Sequence, residues 1–321
     1  MSCPLLDSAN ERLAMLPIKF PDVWRMYKQH EASIWHAHEI KLDKDIPDWK
    51  TLDTDEQYFL KHVLAFFASS DLLVSENIIA NFMKEITMTE AVVFYGFQNM
   101  MENIHSEVYA KIIDAYIDNE AEKSKLFNAV QTIPCVSKKA SWCKKWLSSA
   151  NPLHERLVAW CIVEGVFFSG SFCAIYWMGE KGKLLGLLKA NEFIARDEGL
   201  HTDFGCLLYN KYAGERLSDE RFAIIMKEAV EYEIEFLTQA LPVRLIGMNH
   251  KLMTKYIKLV ADRLALQLKH KKIYNIKDQP FPFMDKIAMK EKSNFFEEDV
   301  ATYKKFNIDH QEQSMDFFDD L

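Results

Sequence analysis

The sequence predicts an all-α protein, and three observations predict it. Glycine and proline are scarce: 10 Gly and 9 Pro in 321 residues, which favours long helices with few connections. Apolar residues recur at steps of three and four over long stretches, the period of a helix with one buried face. No stretch alternates apolar and polar residues in the manner of strands.

In chain order, Thr54 to Gln57 fits the capping box S/T-x-x-E/Q and opens a helix running to about residue 84. Its inward stripe reads Phe59, Val63, Phe67, Asp71, Val74, Ile78. An aspartate on such a stripe is costly to bury unless it is paired or ligating. Thr87 and Glu90 form a second capping box, and the helix after it carries Glu102, His105, Tyr109, Ile112 and Tyr116 on one face. A third long helix covers 153–178, with Glu164, Phe168 and Phe172 stacked at successive turns. A fourth, roughly 184–212, aligns Ile194, Glu198 and His201. Further helices are expected at 218–240 and 249–268. From about residue 285 the chain turns charged and loses its period, so residues 1–285 are read as one helical domain and 286–321 as a flexible tail.

A net charge of −8 argues against general nucleic-acid binding, and the short basic run Lys269 to Lys272 reads as a solvated helix end. Six cysteines without C-x-x-C spacing suit a reducing compartment, and the N-terminus lacks the basic-then-apolar pattern of a secretory signal, so a cytoplasmic location is expected. Residues 157–178 are long and apolar enough to span a bilayer. Glu164 inside them, and the amphipathic pattern elsewhere, favour a buried core helix and no membrane.

The polar residues on the apolar faces form a pattern. Glu102/His105 and Glu198/His201 are two E-x-x-H pairs, each sharing a helix face. Asp71 precedes Glu102 by 31 residues and Glu164 precedes Glu198 by 34; the two pairs are 96 residues apart. The chain thus repeats one plan, a lone acid followed one helix later by E-x-x-H. Four carboxylates and two imidazoles suit two divalent iron or manganese ions. This is the ligand set of ferritin-like di-metal helical bundles, here with additional helices. Tyr109 lies one turn after His105 on the same face. Phe168, Phe172 and Ile194 lie one or two turns from Glu164 and Glu198, where they would enclose Tyr109 in apolar surroundings. Spacing alone leaves a reactive tyrosine and an ordinary core tyrosine both open.

The segments HVLAFFASSD, YGFQNMMENIHSEVY, PCVSKKASW, VEGVFFSGSF, RDEGLH, LPVRLIGMN and SNFFEE occur in order between about Phe20 and Tyr303. In them the chain resembles the small, radical-generating subunit of class I ribonucleotide reductase, in its eukaryotic and viral form. The resemblance implies that Asp71, Glu102, His105, Glu164, Glu198 and His201 bind two iron ions, manganese not being excluded by ligand type. It implies a stable radical on Tyr109 with Phe168, Phe172 and Ile194 as its pocket. Trp35 and Asp197 match residues that, with His105, relay an electron and a proton toward the large subunit. Tyr303 continues that route, assisted by Glu297. The terminal DFFDDL resembles the tail that docks on the large subunit, and a homodimer is implied as well. The radical would pass to a cysteine of the large subunit, which then reduces ribonucleoside diphosphates. Two positions depart from the family: His38 stands where the first of two adjacent acids is usual, and Leu72 where a glycine is common. Neither is a ligand. The rival readings are a radical-deficient paralogue that supports assembly, or another O₂-activating di-iron oxidase.

Overall fold

The structure, a computed structural model, describes residues 3–240 and 242–285, apart from the side chains of residues 71–73, 239, 240 and 245. Tyr303, Glu297 and the terminal DFFDDL lie outside the described residues, and so does the side chain of Asp71. The chain divides into two compact units, one ending at Pro280 and one beginning at Phe281. The first contains, among the described residues, α-helices and helical turns without a strand. In order these are α1 (Pro21–Ala32), α2 (Asp45–Lys50), α3 (Thr54–Asn77), α4 (Met83–Glu85), α5 (Thr89–Tyr116), α6 (Glu120–Phe127) and α7 (Ala129–Thr132). They continue with α8 (Pro134–Leu147), α9 (Leu153–Ile162), α10 (Ser169–Gly179), α11 (Leu185–Lys211), α12 (Asp219–Glu235) and α13 (His250–Gln267).

Four long helical segments hold the site. α3 lies along α5, α9 packs on α11, and α1 contacts both α5 and α11. The α3 stripe is buried as its spacing predicts, with Phe59, Val63, Phe67, Val74 and Ile78 all inside. On α5, Glu102, His105, Tyr109, Ile112 and Tyr116 are likewise buried. The 153–178 helix is real but not continuous. A π-turn at Val163–Phe167 separates α9 from α10 and carries Glu164. Wide turns of this kind are frequent at functional sites because the extra residue re-aims a side chain out of the helical register. Similar turns sit at Ile78–Phe82 and Phe236–Ala240.

Both helix starts differ in detail from the sequence reading. Asp53, not Thr54, caps α3: its carboxylate accepts from the Glu56 amide at 2.8 Å, and Glu56 accepts from the Asp53 amide at 3.1 Å. Carboxylates cap as well as hydroxyls do, so the same motif fitted one residue earlier. Thr87 and Glu90 do not form a capping box at all. The Thr87 hydroxyl donates to Asp7 O, and α5 begins after Met88 without a side-chain cap. Glu90 is fully buried and accepts from Arg12 Nη2 and Lys19 N, both at 2.7 Å. It fastens the N-terminal segment to α5.

Two helical stretches are long and apolar enough to cross a membrane, Leu153–Gly179 and also Thr54–Glu85, where the sequence reading recognised only the first. The Leu153–Gly179 window is 89% buried inside the protein, so its apolar faces are met by other helices.

Candidate metal centre

α5, the π-turn after α9, and α11 bring five of the six expected ligands together. Single atoms of Glu102, Glu164, Glu198 and His201 all lie within 4.8 Å of one another, and all four residues are buried. His201 Nδ1 is 2.8 Å from Glu198 Oε2 and 3.1 Å from Glu102 Oε1. His105 joins from the other side, with Nδ1 3.4 Å from Glu102 Oε2 and 3.3 Å from Glu198 Oε1. Each E-x-x-H pair therefore meets the glutamate of the other pair. Asp71 lies on α3, which runs along α5. Its side chain is outside the described residues.

The electrostatics of the cluster fit a cation. Burial by itself would lower both imidazoles, but the surrounding carboxylates outweigh it. The carboxylates of Asp197, Glu102 and Glu198 hold His105 well above the usual histidine range. Glu198, Glu102 and Glu164 do the same for His201. Burial, reinforced by the Glu198 charge, pushes Glu164 far up. Glu198 itself is pulled below the ordinary carboxylate range by both imidazoles, against its own burial. Metal binding to such groups releases the protons they hold. Two buried atoms facing the cluster, His105 Nδ1 and Glu164 Oε2, have no hydrogen-bond partner. Buried polar atoms are rarely left so, and a bound ion accounts for both. The residues present fit a di-metal group.

Outside the expected ligands, several contacts orient them. Asp197 Oδ2 accepts from Trp35 Nε1 at 2.7 Å and faces His105 Nε2 at 3.1 Å. The Trp35 ring lies nearly parallel to that of His105, centroids 5.9 Å apart. Arg196 approaches Asp197 Oδ1 at 3.2 Å and donates to Ser33 O. Trp35, Asp197 and His105 therefore form one connected row of side chains. His38 is exposed, stacked on His36 beyond Trp35.

Tyr109 is buried one turn along α5 from His105. Its ring stacks on Phe67 at 4.8 Å, and Phe67 in turn stacks on Phe172 at 5.1 Å and meets Phe168 at 5.8 Å. Ile194 is buried on α11. Phe67 touches Tyr109, and the sequence reading gave it no part in the pocket. Its signal was present: it stands one turn before Asp71 on the same stripe. Gln98 was missed too. It is one turn before Glu102 and donates to Glu164 Oε1 at 3.1 Å. Lys139 on α8 also escaped notice. Its ammonium donates to Phe167 O at 2.7 Å and pairs with buried Glu233, closing the end of the π-turn that carries Glu164. Nothing in local spacing marks Lys139, because its partners are 28 and 94 residues away.

Comparison with known proteins agrees with this geometry. Residues 12–282 match the family described as "Ribonucleotide reductase, small chain". The chain is 51% identical to the ribonucleoside-diphosphate reductase small chain of Trypanosoma brucei brucei, covering 98% of this chain and 93% of that protein. It is 50% identical to the small chain of Variola virus, covering 97% of each. Among solved structures, the ribonucleotide reductase Rnr4 homodimer from Saccharomyces cerevisiae superposes with a TM-score of 0.80 at 37% identity, covering 94% of this chain and 92% of that one. The chain belongs to the ribonucleotide reductase small-chain family, with its ferritin-like helical fold. It is a subunit of an oxidoreductase.

Proposed function

We propose that this small chain holds two iron ions and uses them to generate a tyrosyl radical on Tyr109, which it passes to a large subunit that reduces ribonucleoside diphosphates. The observation that carries the reading is the buried meeting of both E-x-x-H pairs with Glu164, one helical turn from a buried tyrosine. Glu102, His105, Glu164, Glu198 and His201 would hold the metals, with Asp71 as the sixth ligand. The ligand types serve manganese as well as iron. When bound in their reduced state, the metals supply with dioxygen the oxidising equivalent that the chemistry needs.

The protein's own residues do the rest. Tyr109 would give one electron from its ring to that oxidising equivalent and the proton of its phenol to the oxygen so reduced, which ends as water. Phe67, with Phe168 and Phe172 behind it, would keep water from the resulting radical, and Ile194, buried on α11, would complete the pocket. Gln98 holds Glu164 in place by its hydrogen bond. Asp197 accepts from Trp35 and His105 on one oxygen, so an electron moving along that row is accompanied by a proton already in a hydrogen bond. Beyond Trp35 the route would run through Tyr303, with residues 286–321 as the tail that carries it and DFFDDL as the segment that docks on the large subunit. A homodimer is proposed by likeness to the yeast Rnr4 homodimer. A cytoplasmic location fits six unbonded cysteines, four of them buried.

The test is electron paramagnetic resonance on protein loaded anaerobically with Fe(II) and then exposed to O₂. A tyrosyl signal is expected in the wild type and none in Tyr109→Phe, which should still bind iron and consume O₂. The same signal in Tyr109→Phe would refute the assignment. Two bound irons and no radical in the wild type would point to the assembly paralogue or another oxidase.

A further inference from the structure

α1 brings a third imidazole to the metal cluster. His30 is fully buried in the last turn of α1. Its ring meets Phe97 edge-on at 4.8 Å and Phe94 at 5.2 Å. Its Nε2 lies 3.3 Å from His201 Nε2, with the two rings 4.9 Å apart at 66°. Two ring nitrogens at that separation need a proton between them, since two bare lone pairs repel. The other nitrogen of His201, Nδ1, faces Glu198, Glu102 and Glu164 at 2.8, 3.1 and 3.9 Å. To ligate a metal, Nδ1 must be free of its proton. The bridging proton therefore belongs to His201 Nε2, and His30 Nε2 accepts it. The remaining proton of His30 falls on Nδ1, which is buried without a partner. A core that needed only bulk here would carry no such orphan donor.

We propose that His30 is a positioning residue for His201: it accepts the Nε2 proton, fixes the tautomer and holds Nδ1 toward the metal. The proposal rests on the reading of the cluster as a metal site. It gives the two ligand imidazoles unequal support. His105 leans on the carboxylate of Asp197, and His201 leans on an imidazole nitrogen. A carboxylate partner makes an imidazole the stronger donor to metal. The His201 side should therefore bind its ion more weakly, although the two E-x-x-H pairs are alike in sequence.

The experiment titrates full-length, metal-free protein with Mn(II) and reads free ion by electron paramagnetic resonance. The wild type should take two ions with unequal affinity. His30→Met removes the acceptor at similar bulk and should weaken the looser ion by about 10–100-fold while sparing the tighter one. His30→Gln presents an amide oxygen to the same N–H and should restore most of the loss. Thermal unfolding of each metal-free variant checks the fold; should His30→Met fail to fold, His30→Leu takes its place in the comparison. Unchanged binding in the variant without an acceptor would overturn the proposal. Equal loss in His30→Gln would also overturn it, since packing rather than the hydrogen bond would then matter. A wild type that binds no Mn(II) would remove the metal-site reading itself and this proposal with it, a result distinct from either.

Discussion

Asp197 offers the sharpest prediction, because both donors of the proposed relay converge on one of its oxygens. Trp35 Nε1 and His105 Nε2 lie 2.7 and 3.1 Å from Oδ2, while Oδ1 faces Arg196. In Asp197→Asn the amide oxygen can occupy the Oδ2 position and keep both bonds. The new amide nitrogen then faces the guanidinium, which is partly exposed and also bonds Ser33 O, so it can turn aside. The substitution removes the charge and keeps the geometry. A hydrogen bond to a charged group contributes about 1.5–3 kcal/mol against about 0.5–1.5 for a neutral one, so the His105 bond loses about 1 kcal/mol. At about 1.4 kcal/mol per tenfold, that is about a fivefold loss of metal affinity through His105. Asp197→Ala instead leaves two fully buried N–H groups unpaired, at about 1–3 kcal/mol each, and frees the His105 ring to turn. Its loss should approach the hundredfold end of what such partners contribute, about 10–100-fold. Mn(II) titration of the metal-free proteins measures all three, with the wild type tightest, Asn intermediate and Ala weakest. An Asn variant as damaged as Ala would show that the two donors do not share an oxygen.

Removing Lys139 should strand Glu233 in the core, where both are buried. Lys139→Met is expected to cost about 3–5 kcal/mol, seen as a fall of about 6–20 °C in the unfolding midpoint at about 2–4 °C per kcal/mol. Adding Glu233→Met should recover most of it, and a double variant no better than the single would contradict the pairing. Glu198→Ala takes a carboxylate from between both imidazoles, so elemental analysis should find fewer than two metals per chain. Deleting residues 315–321 should leave radical yield unchanged and weaken capture of the large subunit in a surface-binding assay; equal capture would end the docking role.

Where the sequence was legible, the physical reason is short range. A helix face repeats every three or four residues, so Glu102/His105, Glu198/His201 and the Phe59-to-Ile78 stripe announced themselves by spacing. Burial of those residues followed from the same period. Helix starts were less legible because several residues can cap: Asp53 outcompeted Thr54, and Glu90 was claimed by Arg12 and two backbone amides from another segment. The π-turn at Glu164 was invisible, since no residue type demands it. Its support comes from Lys139, whose role depends on a buried glutamate 94 residues away. His30 was missed for the same reason. It is an ordinary histidine in α1 until the fold sets it against His201, 171 residues on.

That long-range support breaks the symmetry written into the chain. Two E-x-x-H pairs at an interval of 96 residues would by themselves give two equivalent halves, each glutamate reaching across to the other histidine as Glu102 and Glu198 do here. The outer partners are not repeated. Asp197 adjoins Glu198 on α11 yet serves His105 on α5, while among the described residues His201 Nε2 meets His30 of α1 rather than a carboxylate. The row through Trp35 therefore starts from one imidazole only. Tyr109 follows that same imidazole by one turn on α5; the equivalent place after His201 is taken by Gly205, where a Cβ would lie 2.6 Å from Cys161 Sγ. A tyrosine cannot fit there. On the proposed function, the half that carries His105 would hold the oxidisable ring and the exit row together, and the other half would serve ligation.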